Sequence, residues 1–305
     1  MRFNSKARLD RSQIANRRGS GGSGPGFPVG GRGGMKAGGG IGGVIVLIII
    51  VLVNGGLLDG AGSDGTDSGG DQVSTDDLSH CRTGEDANKD PDCARLAVVN
   101  SIQSFWSEAL PAESNRPYRL ADTVIFSDEV STGCGAANSD VGPFYCPPDE
   151  QVYLDTTFFK DVLKGQLGGH GGDFAEAYVL AHEYGHHIQN LLGIMEQVRT
   201  QQGPESDAVR IELQADCLAG MWSRYATEAE DANGRAIIEE LTERDIKEAL
   251  DAARAVGDDR IQKRTSGWVD SDAWTHGSAE QRMRWFMIGR DQGRLMACDT
   301  FAAGQ

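Results

Sequence analysis

The sequence predicts an α+β fold that is mostly helical, with a small sheet near its start and one transmembrane helix before it. Six segments beyond residue 80 place apolar residues at every third or fourth position, which is typical of amphipathic helices. Two shorter segments, at 118–126 and 151–154, have the composition of strands. One stretch of 22 residues, at 37–58, carries no charge, and about 20 such residues span a bilayer as a helix.

The chain before this apolar stretch differs in composition from the rest. Residues 1–36 are rich in glycine and arginine and carry a formal charge of +7, whereas the remainder carries −23. Such a segment buries too little apolar surface to offset its chain entropy, so we expect it to be disordered. Its positive charge predicts a cytoplasmic N-terminus and a domain outside the membrane. A cleaved signal peptide is the alternative, although 36 residues are long for its leader.

The chain beyond the apolar stretch divides into two parts. Residues 59–79 are acidic and predict a flexible linker. Residues 80–305 have the composition of one extracytoplasmic domain, long enough to bury a core. The acidic balance argues against nucleic acid as a partner and against adsorption to anionic lipid. The expected contact with the membrane is therefore the single helix at 37–58.

All six cysteines follow the apolar stretch, and an even number in an oxidising compartment indicates disulfides. The sequence leaves the pairing open, but local loops of short length favour two of the pairs. Cys217 could instead bind zinc, since it follows Asp216, although outside the cell a disulfide is favoured. The preferred pairs are Cys81–Cys93, Cys134–Cys146 and Cys217–Cys298.

The order of elements follows from the periodicity. A helix at 94–110 is expected to end at Pro111, and the two strands follow, separated by a loop that contains two cysteines. The remaining helices are predicted at 156–167, 173–192, 205–230, 240–256 and 278–293.

The helix at 173–192 contains the pattern H-E-x-x-H, formed by His182, Glu183 and His186. Asp173 is a suitable N-cap for this helix, and Gly193 is a suitable left-handed C-cap. Histidines four residues apart project from one side of a helix and can share a zinc ion, while the glutamate lies beside the open position of the metal. The pattern therefore predicts Zn²⁺ bound by His182 and His186.

A third protein ligand is expected on the next helix, where IELQAD contains Glu212 and Asp216. Glu212 would complete the set of metal ligands, and Asp216, one turn later, would accept the second ring N–H of a ligand histidine. His187 points about 100° away from His186 and is not expected to bind the metal. His170 lies in a glycine-rich turn and is also interpreted as a non-ligand.

Five stretches of the outer domain resemble the bacterial, membrane-anchored family described as "putative neutral zinc metallopeptidase". They are GCGAANSDVGPFYCPPDEQVYLD (133–155), AHEYGHHIQNLLGI (181–194), ELQADCLAGMW (212–222), EALDAARAVGDDR (248–260) and WTHGSAEQR (274–282). The resemblance implies a zincin-like metallopeptidase domain, a peptide or protein substrate, and a single-pass location in the bacterial cell membrane.

The mechanism expected from these residues is hydrolysis by water that zinc activates, with Glu183 as general base. His276 is the candidate donor to the oxyanion, and Arg282 is a weaker one. The alternative is that Ser278 and Gln281 form a capping box and that His276 is only a structural residue of the turn before it. Residues 151–154 either form an edge strand that binds the substrate backbone or form an ordinary strand of the sheet.

Two other functions remain open from the sequence. One is a zinc-bearing scaffold that binds partner proteins without cleaving them, although an intact Glu183 favours catalysis. The other is hydrolysis of a non-protein amide, such as one in the cell wall, for which Trp268 and Trp274 near His276 are the relevant aromatic residues.

Overall fold

The computed structural model describes residues 1–18, 78–127, 129–139 and 141–302, which form a mostly helical α+β structure with small sheets, and this class agrees with the prediction. The helices are α1 (Gly84–Ala87), α2 (Pro91–Ser114), a π-helix (Phe159–Gln166), α3 (Asp173–Leu192), α4 (Asp207–Tyr225), α5 (Glu243–Ala255), α6 (Asp258–Thr265) and α7 (Ala279–Gln292). The strands are β1 (Arg2–Phe3), β2 (Ile14–Asn16), β3 (Thr123–Phe126), β4 (Glu129–Thr132), β5 (Gly135–Asn138), β6 (Phe144–Cys146), β7 (Gln151–Asp155) and β8 (Ile238–Glu240).

Helix α3 is the buried centre of the fold. Helices α2, α4 and α5 pack around it, together with β6 and β7. Its bounds agree with the predicted helix, and Gly193, with a φ of 73°, forms the predicted left-handed cap. The N-cap is Gly172 rather than Asp173, which lies in the first turn. Sixteen of its 20 residues are buried, so each polar side chain on it needs a partner within the protein.

Four strands form the central sheet in the order β2–β3–β7–β6. β2, β3 and β7 are parallel, and β6 is antiparallel to β7, with Tyr145 opposite Val152. Because β7 has a neighbour on each side, its backbone N–H and C=O groups are already paired. Of the two interpretations of residues 151–154, the ordinary strand of the sheet is therefore the correct one, and β6 is the edge strand on that side among the described residues.

Glycines let α4 lie close to both α3 and α7. A Cβ atom at Gly185 of α3 would lie only 2.9 Å from Cα of Ala215 in α4. A Cβ atom at Gly289 of α7 would lie 1.8 Å from the carbonyl oxygen of Cys217 in α4. Neither position has room for a larger side chain unless the helices separate. The close approach at Ala215 brings Glu212, one turn earlier on α4, beside α3.

The helix predicted to end at Pro111 is longer than expected. It continues past Pro111 to Ser114. The proline lacks an N–H donor, but its carbonyl still accepts the N–H of Asn115 at 3.2 Å, so the last turn is kept. Asn115 then ends the helix in the left-handed conformation, with a φ of 57°.

The other predicted elements are present with shorter bounds. The strand predicted at 118–126 is β3 alone, and one predicted helix is a π-helix. Residues 238–240 form β8, because they pair with β1, a partner more than 200 residues away that local periodicity does not reveal. The predicted helices at 156–167, 205–230, 240–256 and 278–293 correspond to the π-helix, α4, α5 and α7.

The first 18 residues belong to the same folded unit as the helices. β2 is a strand of the central sheet, in register with β3 from Ile14 opposite Thr123 onward. Arg18 forms an ion pair with Asp92 of α2 at 2.6 Å. The prediction that residues 1–36 are disordered and separate from the domain is therefore wrong for residues 1–18, since the sheet supplies the apolar contacts and backbone partners that the segment lacks by itself.

This packing overturns the predicted localisation. A chain that crossed the membrane once at 37–58 would place β2 and β3 on opposite sides, yet the two strands are hydrogen-bonded neighbours. The predicted single-pass arrangement, with a cytoplasmic N-terminus and an extracytoplasmic domain, is therefore wrong. Within the described ranges no helix combines the length and apolar character needed to cross a membrane. The predicted span at 37–58 lies outside the described residues, as does the linker up to residue 77.

The three predicted disulfides are confirmed. Two of them close loops with a sequence separation of 12, and the third joins α4 to the C-terminal segment across a separation of 81. Because its sulfur is bonded to Cys298, Cys217 does not compete for a metal ion. The pairs are Cys81–Cys93, Cys134–Cys146 and Cys217–Cys298.

Candidate metal centre

Three side chains from two helices converge on one point. His182 and His186 lie one turn apart on α3, and Glu212 lies on α4. The Nε2 atoms of the two histidines lie 3.2 and 3.5 Å from the two carboxylate oxygens of Glu212. The three ligand atoms lie within 4.8 Å of one another, and all three side chains are buried. The structure thus brings together the three residues predicted from the sequence as metal ligands.

The second ring nitrogen of each histidine faces an acceptor. Nδ1 of His182 lies 2.9 Å from Oδ1 of Asp216, and Nδ1 of His186 lies 2.8 Å from Oε1 of Gln189. A neutral imidazole that donates from Nδ1 has its lone pair on Nε2, the nitrogen that faces Glu212. Both rings are therefore held in the tautomer and orientation of metal ligands.

The contact of Asp216 with His182 agrees with the prediction, whereas Gln189 was missed. Its Nε2 donates to the carbonyl oxygen of Ile211 at 2.7 Å and to Oε1 of Gln214 at 3.0 Å. These two bonds orient the amide so that its oxygen faces His186. The signal was available in the sequence, because Gln189 follows His186 by three residues and so lies on the same side of α3.

Arg282 and Tyr178 hold the Asp216 carboxylate in place. Arg282 donates to both carboxylate oxygens, from Nε at 2.8 Å and from Nη2 at 3.0 Å, and the hydroxyl of Tyr178 donates to Oδ1. Burial would raise the pKa of Asp216, but the charges of Arg282 and His182 outweigh burial and lower that pKa. Arg282, predicted as a weaker candidate for the oxyanion donor, is thus already bonded through two nitrogens to a fully buried carboxylate.

Glu183 lies beside the ligands and is also buried. The backbone N–H of Tyr145 in β6 is close enough to its carboxylate to favour the ionised form, and Oε2 has no hydrogen-bond partner among the described residues. Burial, reinforced by the negative charge of Glu212, raises the pKa of Glu183 to about 8. A buried polar atom without a hydrogen-bond partner lowers the stability of the fold and is rare in proteins. Such an atom therefore indicates a functional role rather than a structural one.

The pKa values of the two histidines in this group respond differently to burial. For His182, burial is outweighed by the carboxylates of Asp216 and Glu212, which raise the pKa to about 10. For His186, burial dominates and lowers the pKa to about 4. The pKa of Glu212 is lowered, because the charges of His276, His186 and His182 outweigh its burial. A metal ion bound to Nε2 of His182 would take the place of the proton there.

His276 lies in a turn that Asp258 organises. Oδ2 of Asp258 accepts the backbone N–H groups of Thr275, His276 and Gly277 at 2.7, 2.7 and 3.0 Å. Nδ1 of His276 lies 2.8 Å from the hydroxyl of Thr275, and the ring lines the same cleft as Glu183. Asp258 was not predicted from the sequence, and no local pattern links it to a turn 17 residues later.

The capping box expected beside His276 is also present. The hydroxyl of Ser278 accepts the N–H of Gln281 at 3.2 Å, and Oε1 of Gln281 accepts the N–H of Ser278 at 2.9 Å. The two interpretations of this stretch are therefore compatible, since the box begins α7 while the histidine ring faces the cleft.

The cleft above the ligands has mostly apolar walls. One wall follows the π-helix, and Phe158 at its start packs so closely on Gly142 that a Cβ atom there would lie 3.1 Å from the ring. A concave, largely apolar surface around a few polar groups is typical of a site that binds a small molecule or a side chain. The apolar residues include Phe158, Val162, Leu167, Val179 and Val256.

The two histidines that were predicted not to bind the metal, His187 and His170, lie outside the three-residue group. Nδ1 of His187 lies 3.0 Å from the hydroxyl of Tyr145, and its Nε2 lies 2.7 Å from the carbonyl oxygen of Arg119. His187 therefore supports β6 through the side chain of Tyr145. His170 is exposed and lies 3.0 Å from Asp251.

The chain matches a protein family over almost its whole length. The family described as "Putative neutral zinc metallopeptidase" matches residues 1–301. "Uncharacterized protein Rv2575" of Mycobacterium tuberculosis (strain ATCC 25618 / H37Rv) is 52% identical over 231 residues, which are 74% of this chain and 76% of the relative. "Uncharacterized protein YpfJ" of Escherichia coli (strain K12) is 40% identical over 210 residues, which are 67% and 69% of the two chains. No solved structure has a significant match to the chain. Its sequence thus places the chain in the family of putative neutral zinc metallopeptidases.

Proposed function

We propose that this protein is a zinc-dependent metallopeptidase that hydrolyses peptide bonds, with Glu183 as general base. The observation that carries the proposal is the group of buried side chains in which the Nε2 atoms of His182 and His186 face Glu212. Beside this group, Oε2 of Glu183 has no hydrogen-bond partner in the described part of the chain. Three protein ligands, with a fourth position left for water, are typical of catalytic zinc sites.

The donors present fit zinc. Two imidazole nitrogens and one carboxylate are a ligand set of catalytic zinc, and the acceptors Asp216 and Gln189 keep both lone pairs directed towards the metal position. When bound there, zinc polarises a carbonyl group and lowers the pKa of water.

Glu183 would carry the proton in this reaction. Oε2 of Glu183, which has no hydrogen-bond partner in the described ranges, would accept a proton from the attacking water. The same carboxyl group then delivers the proton to the leaving amine. This role requires the ionised carboxylate, and the positive charge of zinc at the adjacent position would lower the pKa that burial raises in Glu183.

His276 is our candidate for stabilising the oxyanion. Its Nδ1 is engaged by Thr275, so Nε2 is the ring nitrogen available to a molecule in the cleft. A donor fixed in advance near a developing negative charge is worth several kcal/mol in acyl transfer. Arg282 is less suited, because its guanidinium already bonds Asp216 through two nitrogens.

A peptide suits the cleft better than an amide in the cell wall. The apolar walls fit an apolar side chain, and β6, an edge strand of the central sheet in the described structure, follows directly after cleft-lining residues 141–143. An extended peptide can add to such an edge through backbone hydrogen bonds. Trp268 and Trp274, the aromatic residues that left a carbohydrate-bearing substrate open, do not line this cleft in the described structure.

Cleavage of a mixed peptide library by the zinc-loaded full-length chain tests the proposal. We expect cleavage that a chelator abolishes, with apolar residues enriched next to the scissile bond. Glu183→Gln should retain zinc, because the three ligands remain, and should slow cleavage by roughly 10²- to 10⁴-fold. Glu196→Gln, an exposed substitution just after α3, is the matched control and should retain full activity.

Two outcomes would contradict the proposal in different ways. Full activity of Glu183→Gln would exclude this residue as the base. A folded, zinc-bound protein that cleaves no peptide in the library would favour the non-catalytic scaffold instead.

A further inference from the structure

A second group of metal-binding side chains lies at the start of α2, away from the candidate metal centre. His80, Cys81, Asp90 and Cys93 each place one ligand atom within 4.8 Å of the others. Nε2 of His80 lies 3.6 Å from Sγ of Cys81 and 3.4 Å from Oδ2 of Asp90. Two sulfurs, one imidazole and one carboxylate are four donors that zinc accepts in a tetrahedral site.

The disulfide prevents this second group from binding a metal ion in the oxidised protein. Cys81 and Cys93 are bonded to each other, and the thiolate rather than the disulfide sulfur is the metal ligand. The four donors are therefore complete only when this bond is broken.

We propose that reduction of the Cys81–Cys93 disulfide creates a second zinc site, formed by the two thiolates with His80 and Asp90. A dithiol is the chemical class of reductant that fits. Its two sulfurs become a disulfide, and two electrons and two protons pass to the cysteine pair as the S–S bond breaks. The two thiols then lose their protons when they bind the metal.

The positions of the other two ligands agree with this site. Oδ1 of Asp90 caps α2 by accepting the N–H groups of Asp92 and Cys93 at 2.8 and 3.2 Å, so Oδ2 is available without loss of the cap. The sulfurs are buried, whereas the side chain of His80 is 54% exposed and can adjust to a metal ion.

The site would preserve a contact that the disulfide makes in the oxidised protein. The turn that contains Cys81 holds the N-terminal segment, since Leu9 donates its N–H to the carbonyl of Arg82 and Gly84 donates to that of Ala7, each at 3.0 Å. Either the S–S bond or a shared metal ion fixes Cys81 to α2. The reduced, metal-bound protein would therefore keep residues 1–18 attached to the domain.

Cobalt binding to the full-length chain tests the proposal, with a phosphine as reductant because it has no thiol to bind cobalt. We expect a sulfur-to-cobalt charge-transfer band in the reduced protein and none in the oxidised protein. Cys81→Ser/Cys93→Ser should lack the band, and His80→Ala, at an exposed position, should weaken this cobalt site roughly tenfold or more.

The disulfide Cys134–Cys146 provides a matched control, because it has the same sequence separation of 12 and belongs to no metal-binding group in the described ranges. Cys134→Ser/Cys146→Ser should retain the band. Glu212→Ala should also retain it, so the result does not depend on the candidate metal centre, which contains no sulfur. A band that persists in Cys81→Ser/Cys93→Ser would overturn the proposal, as would a reduced wild type that shows no band or unfolds in the presence of cobalt.

Discussion

Asp216 lies 2.9 Å from Nδ1 of His182 and, with the same carboxylate, accepts two hydrogen bonds from Arg282. This buried carboxylate connects a predicted metal ligand on α3 to an arginine on α7. Orientation of the histidine and packing of α7 therefore depend on one side chain, and a substitution there should affect metal binding and stability together.

Asp216→Asn should weaken zinc binding by about 10- to 100-fold, because His182 loses its charged acceptor. It should also lower the free energy of unfolding by about 3–5 kcal/mol, because the buried charge of Arg282 loses its partner. Competition with a chelator measures the first effect, and denaturant unfolding measures the second. The double variant Asp216→Asn/Arg282→Met should regain part of the stability but none of the zinc affinity. Recovery of both would show that Asp216 acts on the metal only through folding.

Gln189→Met should weaken zinc binding by roughly tenfold, since His186 loses the acceptor that selects its tautomer while the side-chain volume is retained. Isothermal titration with zinc measures this change. Gln197→Met is the matched control, because the side chain of Gln197 is exposed and its amide bonds the carbonyl of Gly193 rather than any residue of the candidate metal centre. An unchanged affinity in Gln189→Met would remove Gln189 from the metal centre.

Gly185→Val should force α3 and α4 apart, because even a Cβ atom at this position would lie 2.9 Å from Ala215. We expect unfolding to become easier by about 1–3 kcal/mol and zinc binding to weaken, since Glu212 moves away from the histidines. Thermal unfolding with and without zinc measures both effects. Gly165→Ala, where a Cβ atom makes only ordinary contact at 3.4 Å, should change neither. Normal zinc affinity in a destabilised Gly185→Val would show that Glu212 does not depend on this helix contact.

Asp258→Asn should lower the free energy of unfolding at pH 7 by about 2 kcal/mol, because three backbone N–H groups lose a charged acceptor. Burial opposes ionisation of Asp258, but His276 and the backbone N–H groups outweigh it and lower the pKa below its ordinary 3.8. A lowered folded-state pKa contributes stability above pH 3.8, which is lost as the pH falls through the folded-state value.

Urea unfolding of wild type and Asp258→Asn at several pH values measures this dependence. The difference in stability should be full at pH 7 and should decrease below about pH 3.8. A difference that stays constant into acid would mean that the charge of Asp258 does not contribute.

The metal ligands could be predicted because helical periodicity is local. Two histidines four residues apart lie on one side of α3 whatever surrounds the helix. Glu212 could be proposed as the third ligand because it lies on the next predicted helix. Gln189 lies on the same side of α3 by the same rule, but a glutamine is not itself a usual zinc ligand, so its residue type does not mark it as part of the site. Asp258 could not have been found this way, because its three partners lie in a turn that only the packing of α6 against α7 places beside it.

The sequence by itself determined the helical periodicity and the H-E-x-x-H residues, and it pointed to Glu212 as the third candidate ligand and to the preferred disulfide pairs. The tertiary structure decided that β7 is an interior strand, that residues 1–18 belong to the domain and that Asp216 is shared with Arg282. These features depend on partners far apart in the chain. Ile14 pairs with Thr123, and Arg2 with Glu240. The local sequence of a short strand or a buried charge indicates only that it needs a partner. Which residue becomes that partner depends on how the whole core packs.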